Sequence, residues 1–316
     1  MLFIMKKVAI LFGGPSSEHE VSVSSAKNIL ENIDRELFEI LEVFITKEFL
    51  YEIEGVLYNE QKGLEEIKRR NIDIAFPIIH GAYGEDGVLQ KKLEELNILF
   101  VGSSSKASSL AIDKNKTNEI LDANGILIPK SFVITKNNTE HGCDYPIIVK
   151  PINEGSSVGL FKFEKDVDFK NSLNEIFKNN NEMLVQEFIQ GREFTCGVIE
   201  KEGEIIPLIA TEVVLTKGEI FDYDAKYTSG GCEEITPANV DEETMKRIQN
   251  LAVKCHQIIG CKSISRTDII LKNDDLYVLE INTIPGMTKT SFIPAEAKAC
   301  GYSMKEIITI LIKSAK

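Results

Sequence analysis

The chain has 316 residues, 43% of them hydrophobic, enough to fill two or three cores, and it contains no run of 18 apolar residues able to cross a membrane. Its 49 acidic and 36 basic residues leave a net charge of −13, which argues against nucleic-acid or anionic-membrane binding and requires locally placed cations for any anionic ligand. Six scattered cysteines without C-x-x-C spacing fit reduced thiols of a cytosolic protein better than a disulfide framework or a zinc site.

The opening "MLFIMKKVAILFGG" carries Lys6 and Lys7 after its first apolar residues and no small-residue cleavage site, so it reads as a buried strand over Lys7–Phe12 and not as a leader. Met5 is an alternative initiator. Ser17-x-x-Glu20 has capping-box spacing and predicts Glu18 in the first turn of a helix on which Val23, Ala26, Leu30 and Ile33 recur. "FEILEVFI", "IDIAFPIIHG" and "ILFVGS" read as strands, and "GLEEIKRR" and "EDGVLQKKLEELN" as helices. This alternation predicts an α/β domain over 1–102 with a parallel sheet covered on both faces.

A second region, 103–190, holds the helix "KNKTNEILDAN", stopped at Asn124-Gly125, and the strands "YPIIVKP", "GLFKFE" and "MLVQEFI". The third, 191–316, opens with strands turning at Glu202-Gly203. Its polar stretch 217–237 reads as a functional loop. "SISRTDIILKNDDLYVLEIN" then reads as a β-hairpin with a three-residue loop at 273–275.

Four places carry chemistry. The hairpin register sets Asp268 opposite Glu280 and Arg266 opposite Asn282 on one face. Such a group either takes a Mg²⁺ or Mn²⁺ ion through its oxygens or is a surface Arg266–Asp268 salt bridge. Lys150 ends a strand, and Glu154-Gly155-Ser156-Ser157-x-Gly159 follows, either a phosphate nest or an ordinary hairpin loop. In "MLVQEFIQGREF", Gln186 and Glu193 flank a hinge that either reads an adenine edge and a ribose or simply turns. Glu18, after Gly13-Gly14, sits at the carboxyl edge of the first sheet with His80, either as ligand contacts or as a helix-dipole acid beside a strand end.

Together these pieces resemble the D-alanine–D-alanine ligase family of the ATP-grasp fold. The match runs in order through "GGPSSEHEVS", "FPIIHGAYGEDG", "DKNKT", "VKPINEGSSVG", "QEFIQGREFT", "FDYDAKYTSG", "SRTDII" and "LEINTIPGMTKTS". The resemblance implies three domains with ATP gripped between the second and third. It implies Lys114, Lys150 and the lid residue Lys226 at the phosphates, Gln186, Glu187 and Ile189 at adenine, and Glu193 at the ribose. Asp268, Glu280 and Asn282 would hold two Mg²⁺ or Mn²⁺ ions. Glu18, with His80 nearby, would take the first D-alanine ammonium, and Ser291 the second amino acid. Arg266 and the Gly286 amide would face the oxyanion, with Ser156 linking Glu18 to Tyr227 of the lid.

The expected activity is two-step ligation through a D-alanyl phosphate, for peptidoglycan precursor synthesis, by a cytoplasmic homodimer. Tyr227 in "KYTSG" resembles the dipeptide-forming type, with a D-alanine–D-serine ligase or another ATP-grasp carboxylate-amine ligase as the alternatives. His19, where the family pattern has Arg, is a small departure.

Overall fold

The computed structural model describes residues 5–155, 159–216 and 231–315. Ser156, Lys226, Tyr227 and positions 217–230 of the expected lid lie outside the described residues.

The first sheet is built from β1 (Lys6–Gly13), β2 (Phe38–Ile45), β3 (Tyr51–Ile53), β4 (Val56–Tyr58), β5 (Ile74–Pro77) and β6 (Leu99–Phe100), in the order β4-β3-β2-β1-β5-β6. β1, β2, β5 and β6 are parallel, as the strand–helix alternation predicts. The hairpin β3–β4 adds an antiparallel edge, turning at Glu54 and Gly55 with φ 51° and 77°. Alternation along β1 fills both faces. Val8 and Ile10 pack with α1 (His19–Asn32), while Ala9 and Leu11 pack with α2 (Glu60–Arg69) and α3 (Val88–Glu95).

The start of α1 differs from expectation. Glu18 is its N-cap, not a first-turn residue, and no side chain caps the helix, so the Ser17–Glu20 box does not form. Ser16 Oγ accepts the Glu18 N–H instead and donates to the carbonyl of His80. The buried stripe is also more polar than the apolar period implies. Ala26 and Ile33 are buried, Val23 and Leu30 only partly, and Ser22, Ser25 and Asn28 are buried beside them. Hydrogen bonds to other elements satisfy those three: Ser22 bridges the Gly13 amide and the Ile78 carbonyl, Ser25 accepts the Met287 N–H, and Asn28 donates to the Met287 carbonyl.

After α4 (Ser105–Ile112) and α5 (Lys114–Ala123) comes an antiparallel sheet, β7 (Ser131–Thr135), β10 (Glu182–Glu187), β8 (Ile147–Pro151) and β9 (Phe161–Phe163) in spatial order. Ile147, Val149, Met183 and Val185 face its core with α6 (Asp166–Asn171) and α7 (Leu173–Ile176). Alternation therefore leaves Lys150 and Gln186 on the opposite face.

The third sheet has the order β14 (Cys232–Ile235), β13 (Thr211–Leu215), β11 (Arg192–Lys201), β15 (Ile264–Lys272) and β16 (Asp275–Asn282), with β12 (Glu204–Pro207) paired to β11. α8 (Glu242–Ile259) covers the face of Phe194, Cys196 and Ile269. Residues 232–235 thus form a strand within the stretch read as loop. Last come α9 (Phe292–Ala299) and α10 (Met304–Lys313), whose Ile307, Ile308 and Leu311 enter the core of β1 and α1. Ile199, Ile264 and Ile284 belong to that same core, so the first and third sheets are fastened together.

Candidate functional site

The register of β15 and β16 decides what the hairpin presents. Asp268 lies opposite Glu280 and Arg266 opposite Asn282, as expected, but by a different route. The turn has two residues, since Lys272 pairs with Asp275, and the ladder slips by one between Asp268 and Ile269. Ile269 faces Val278, so Leu279 is an extra, bulged residue. The bulge lets Val278 and Ile281 both face the helical core while Glu280 and Asn282 face the other way.

Arg266 and Asp268 do form the alternative salt bridge, yet not on the surface. Nε and Nη2 of Arg266 donate to the two oxygens of Asp268 at 2.8 and 2.7 Å, and Thr195 Oγ1 donates to Oδ1 at 2.7 Å. Burial works against the Arg266 charge, but Asp268, Glu280 and Glu296 outweigh it and push its pKa up. Lys114 opens α5, is buried, and donates to the Glu154 carbonyl at 2.6 Å with Glu280 Oε2 3.6 Å away. That lysine ties the segment after β8 to the acid on β16.

The edge of the first sheet closes on the same place. A Cβ at Gly81 would lie 3.0 Å from Glu18 Oε2, and one at Gly155 3.3 Å from it. His80 is buried, with Nδ1 3.0 Å from the Ile284 carbonyl and Nε2 3.1 Å from Ser25 Oγ. Ser25 Oγ also accepts the Met287 N–H. Sequence reasoning assigned no role to Glu85, whose Oε1 is 3.7 Å from His80 Nδ1. Glu85 lies in the loop after β5, between Gly84 and Gly87, and nothing in that local pattern marks it as a buried acid. Burial pushes the Glu85 carboxyl up, and although burial opposes a charged His80, Glu85 and Glu18 raise it on balance.

On the far side, Ser291 is the N-cap of α9, and its Oγ accepts the Thr288 N–H at 3.0 Å. A Cβ on Gly286 would meet that oxygen at 2.7 Å, so only glycine lets the two approach. A cavity of about 1000 Å³ joins Glu18, His80, Glu85, Gly155, Arg266, Glu280, Asn282, Gly286 and Ser291. Cys232 and Glu234 of β14 also line it, both unforeseen because they fell in the presumed loop. Burial raises the Glu234 carboxyl, with Arg266 opposing.

Lys150, Gln186, Glu187, Ile189 and Glu193 do not line that cavity. Lys150 lies within β8; Gln186 and Glu187 end β10, and Ile189 leads on to Glu193 of β11. Near that connection Lys162, Phe188, Gln190, Arg192 and Leu271 bound a second cavity of about 740 Å³. Gln186 is buried, and among the described residues its Nε2 has no hydrogen-bond partner. The amides of Glu187 and Phe188 go to the carbonyls of Lys130 and Pro146. Among the described residues that of Ile189 donates to no backbone carbonyl.

Two carboxylates and a carboxamide on adjacent strands are hard oxygen donors, and phosphate oxygens can complete a Mg²⁺ or Mn²⁺ shell around them. Among the described residues no three of His, Cys, Asp and Glu converge. Asp268, Glu280 and Asn282 are the oxygen donors that this face offers, with both oxygens of Asp268 also accepting from Arg266.

The chain matches the family models D-ala D-ala ligase N-terminus over residues 7–103 and D-ala D-ala ligase C-terminus over residues 126–313. It is 38% identical to the D-alanine--D-alanine ligase of Leptospira biflexa, over 97% of this chain and 98% of that one. Among solved structures it is similar to the VanG D-Ala:D-Ser ligase from Enterococcus faecalis, with TM-score 0.84, 30% identity and coverage of 98% and 99%. It also resembles the D-alanine--D-alanine ligase from Bacillus anthracis complexed with ATP, with TM-score 0.79, 26% identity and coverage of 98% and 96%.

Proposed function

The chain belongs to the D-alanine–D-alanine ligase family, and on that premise we propose that it joins two D-alanine molecules to D-alanyl-D-alanine while cleaving ATP to ADP and phosphate, in peptidoglycan precursor synthesis. The observation that carries the reading is the cavity where Glu18 and His80 of the first sheet meet Arg266, Glu280 and Asn282 of the third, opposite Ser291.

ATP lies between the second and third sheets in this reading. Lys114 and Lys150 meet its phosphates, Gln186 with the backbone of Glu187 and Ile189 holds adenine, and Glu193 the ribose. Asp268, Glu280 and Asn282 hold two divalent ions, which when bound neutralise phosphate charge and orient the triphosphate. Glu18 pairs with the ammonium of the first D-alanine, and His80, fixed by Ser25 and Ile284, sets the wall beside it.

The first D-alanine carboxylate attacks the γ-phosphorus and forms D-alanyl phosphate and ADP. The amine of the second D-alanine, seated on Ser291, then adds to the acyl carbon. Arg266 and the Gly286 amide donate to the oxyanion, which collapses with loss of phosphate. Water must be excluded while the acylphosphate exists. Ser156, Lys226 and Tyr227 belong to the segments assigned to that closure.

The proposal includes the division 1–102, 103–190 and 191–316, and a cytoplasmic homodimer. No helix among the described residues is long and apolar enough to cross a membrane, and the unpaired cysteines suit a reducing compartment. Light scattering of the purified protein tests the dimer.

The E. faecalis likeness favours one second reading, D-serine as the second amino acid. Incubation with ATP, Mg²⁺ and D-alanine, with and without D-serine, followed by product mass, separates the two. A D-alanyl-D-alanine product with equimolar ADP supports the ligase, a dominant mixed dipeptide supports the second reading, and no amino-acid-dependent ADP removes both.

A further inference from the structure

Helix α9 brings more than its N-cap to the site. Phe292 sets its ring centre 5.5 Å from the guanidinium carbon of Arg266. One turn later Glu296 is fully buried, and its Oε2 accepts the Gly197 N–H at 2.7 Å. Gly197 is the direct cross-strand partner of Arg266. It sits where β11 has left β13, last paired at Thr195, and has not yet joined β12, first paired at Val198. The glutamate fills that gap in the ladder. A Cβ at 197 would lie 2.5 Å from Ile293 and 2.8 Å from Glu296 Oε2, so helix and strand touch through the glycine. The other polar neighbours of Glu296, the Thr211 hydroxyl and the charge of Arg266, do not offset that burial. A carboxyl placed there is costly, and such a group calls for an explanation beyond filling space.

We propose that Glu296 is a positioning residue for acyl transfer, clamping α9 to β11 so that Phe292 stays over Arg266 and Ser291 stays against Gly286. The inference rests on the ligase reading. One contact then fixes both the guanidinium that meets the oxyanion and the seat of the attacking amino acid. Loosening it lets water reach the acyl carbon before the amine does, giving back D-alanine and phosphate with ATP already spent.

The test is the ratio of ADP formed to dipeptide formed, which does not depend on the folded fraction. Full-length enzyme with ATP, Mg²⁺ and D-alanine is compared with Glu296→Ala, Glu296→Gln and Phe292→Ala. The wild type is expected near a ratio of one. Glu296→Ala and Phe292→Ala should raise it about threefold or more, since small misplacements near reacting groups are costly. Glu296→Gln, whose carboxamide oxygen can accept the same N–H, should restore it to near the wild-type value. A wild-type ratio in Glu296→Ala, or in Phe292→Ala should the first not fold, overturns the clamp. An elevated ratio in Glu296→Gln does so too. Wild-type protein that makes ADP but no dipeptide overturns the ligase reading instead.

Discussion

Arg266 and Asp268, two residues apart on β15, are locked edge to edge by bonds of 2.8 and 2.7 Å. The carboxylate fixes the plane of the guanidinium, and both its oxygens are engaged in doing so. Lysine is a point charge and cannot reproduce that fork. Arg266→Lys is therefore expected to lower kcat by about 100-fold or more, the scale for losing an oriented oxyanion donor. ATP affinity should hold within a few-fold. Steady-state kinetics beside nucleotide titration checks this, and a kcat close to wild type removes Arg266 from the chemistry.

Glu280 carries the second test. It is bracketed by Asp268 across the strand and by Lys114 at 3.6 Å. Glu280→Gln keeps the shape and removes the charge, so the fold should persist while turnover falls by about 10³ or more. Calorimetric titration of Mg²⁺ with a non-hydrolysable nucleotide should show weakened binding. Wild-type turnover in this variant would sink the metal assignment.

Asn28 on α1 reaches across to the loop bearing Gly286. Its Nδ2 donates to the Met287 carbonyl at 2.8 Å while Ser25 Oγ accepts the Met287 N–H at 3.2 Å. Asn28→Ala strips one of these bonds in a buried place and should cost about 1–3 kcal/mol of stability. If, as proposed, the loop serves the amino-acid side, KM for D-alanine should rise more than KM for ATP. Thermal unfolding and paired kinetics test both parts, and equal shifts in the two KM values contradict the second.

Glu296 also predicts a pH dependence of stability. Burial pushes its carboxyl from the ordinary 4.5 up to about 8, with Arg266 and Asp268 on β15, Cys196 on β11 and Cys300 beyond α9 facing it. A folded-state value above the unfolded one contributes stability that is fully present below about pH 4.5 and is lost as pH rises through about 8. Glutamine carries no such penalty. The melting temperature of Glu296→Gln relative to wild type should therefore be higher at pH 8.5 than at pH 5, by an amount of the order of a few kcal/mol in free energy. A constant difference across that window contradicts the shift.

Much of the site was legible because strand alternation is a local rule. Placing Glu280 beside Asn282, and Arg266 beside Asp268, needs only a period of two. The turn length was misread because a bulge leaves no local mark, and Leu279 looks like any other strand residue. The polar stripe of Ser22, Ser25 and Asn28 defeated the apolar period on α1, since the backbone groups that satisfy it lie as far away as Met287. The Ser17–Glu20 spacing suggested a cap, yet Ser16 serves the loop instead. Strand β14 was hidden by its polarity, as "CEEI" at a sheet edge resembles loop. Glu85 and Glu296 were missed for a common reason: what makes each notable is burial against another element, which no window of sequence contains.

The bulge at Leu279 gives the hairpin slack. Pairing from the turn up to Val278 does not involve it, and pairing from Glu280 onward restarts beyond it. Excising Leu279 would still leave Asp268 facing Glu280 and Arg266 facing Asn282, on an uninterrupted ladder. Adding a residue to the turn has the same outcome at the site if the bulge anneals, at the expense of rotating Val278 out of its core. A lineage can thus change the length of this hairpin by one residue and keep the same four polar side chains in register, so long as the change falls before Glu280. A deletion between Glu280 and Asn282 would leave Glu280 in place and turn Asn282 toward the hydrophobic core.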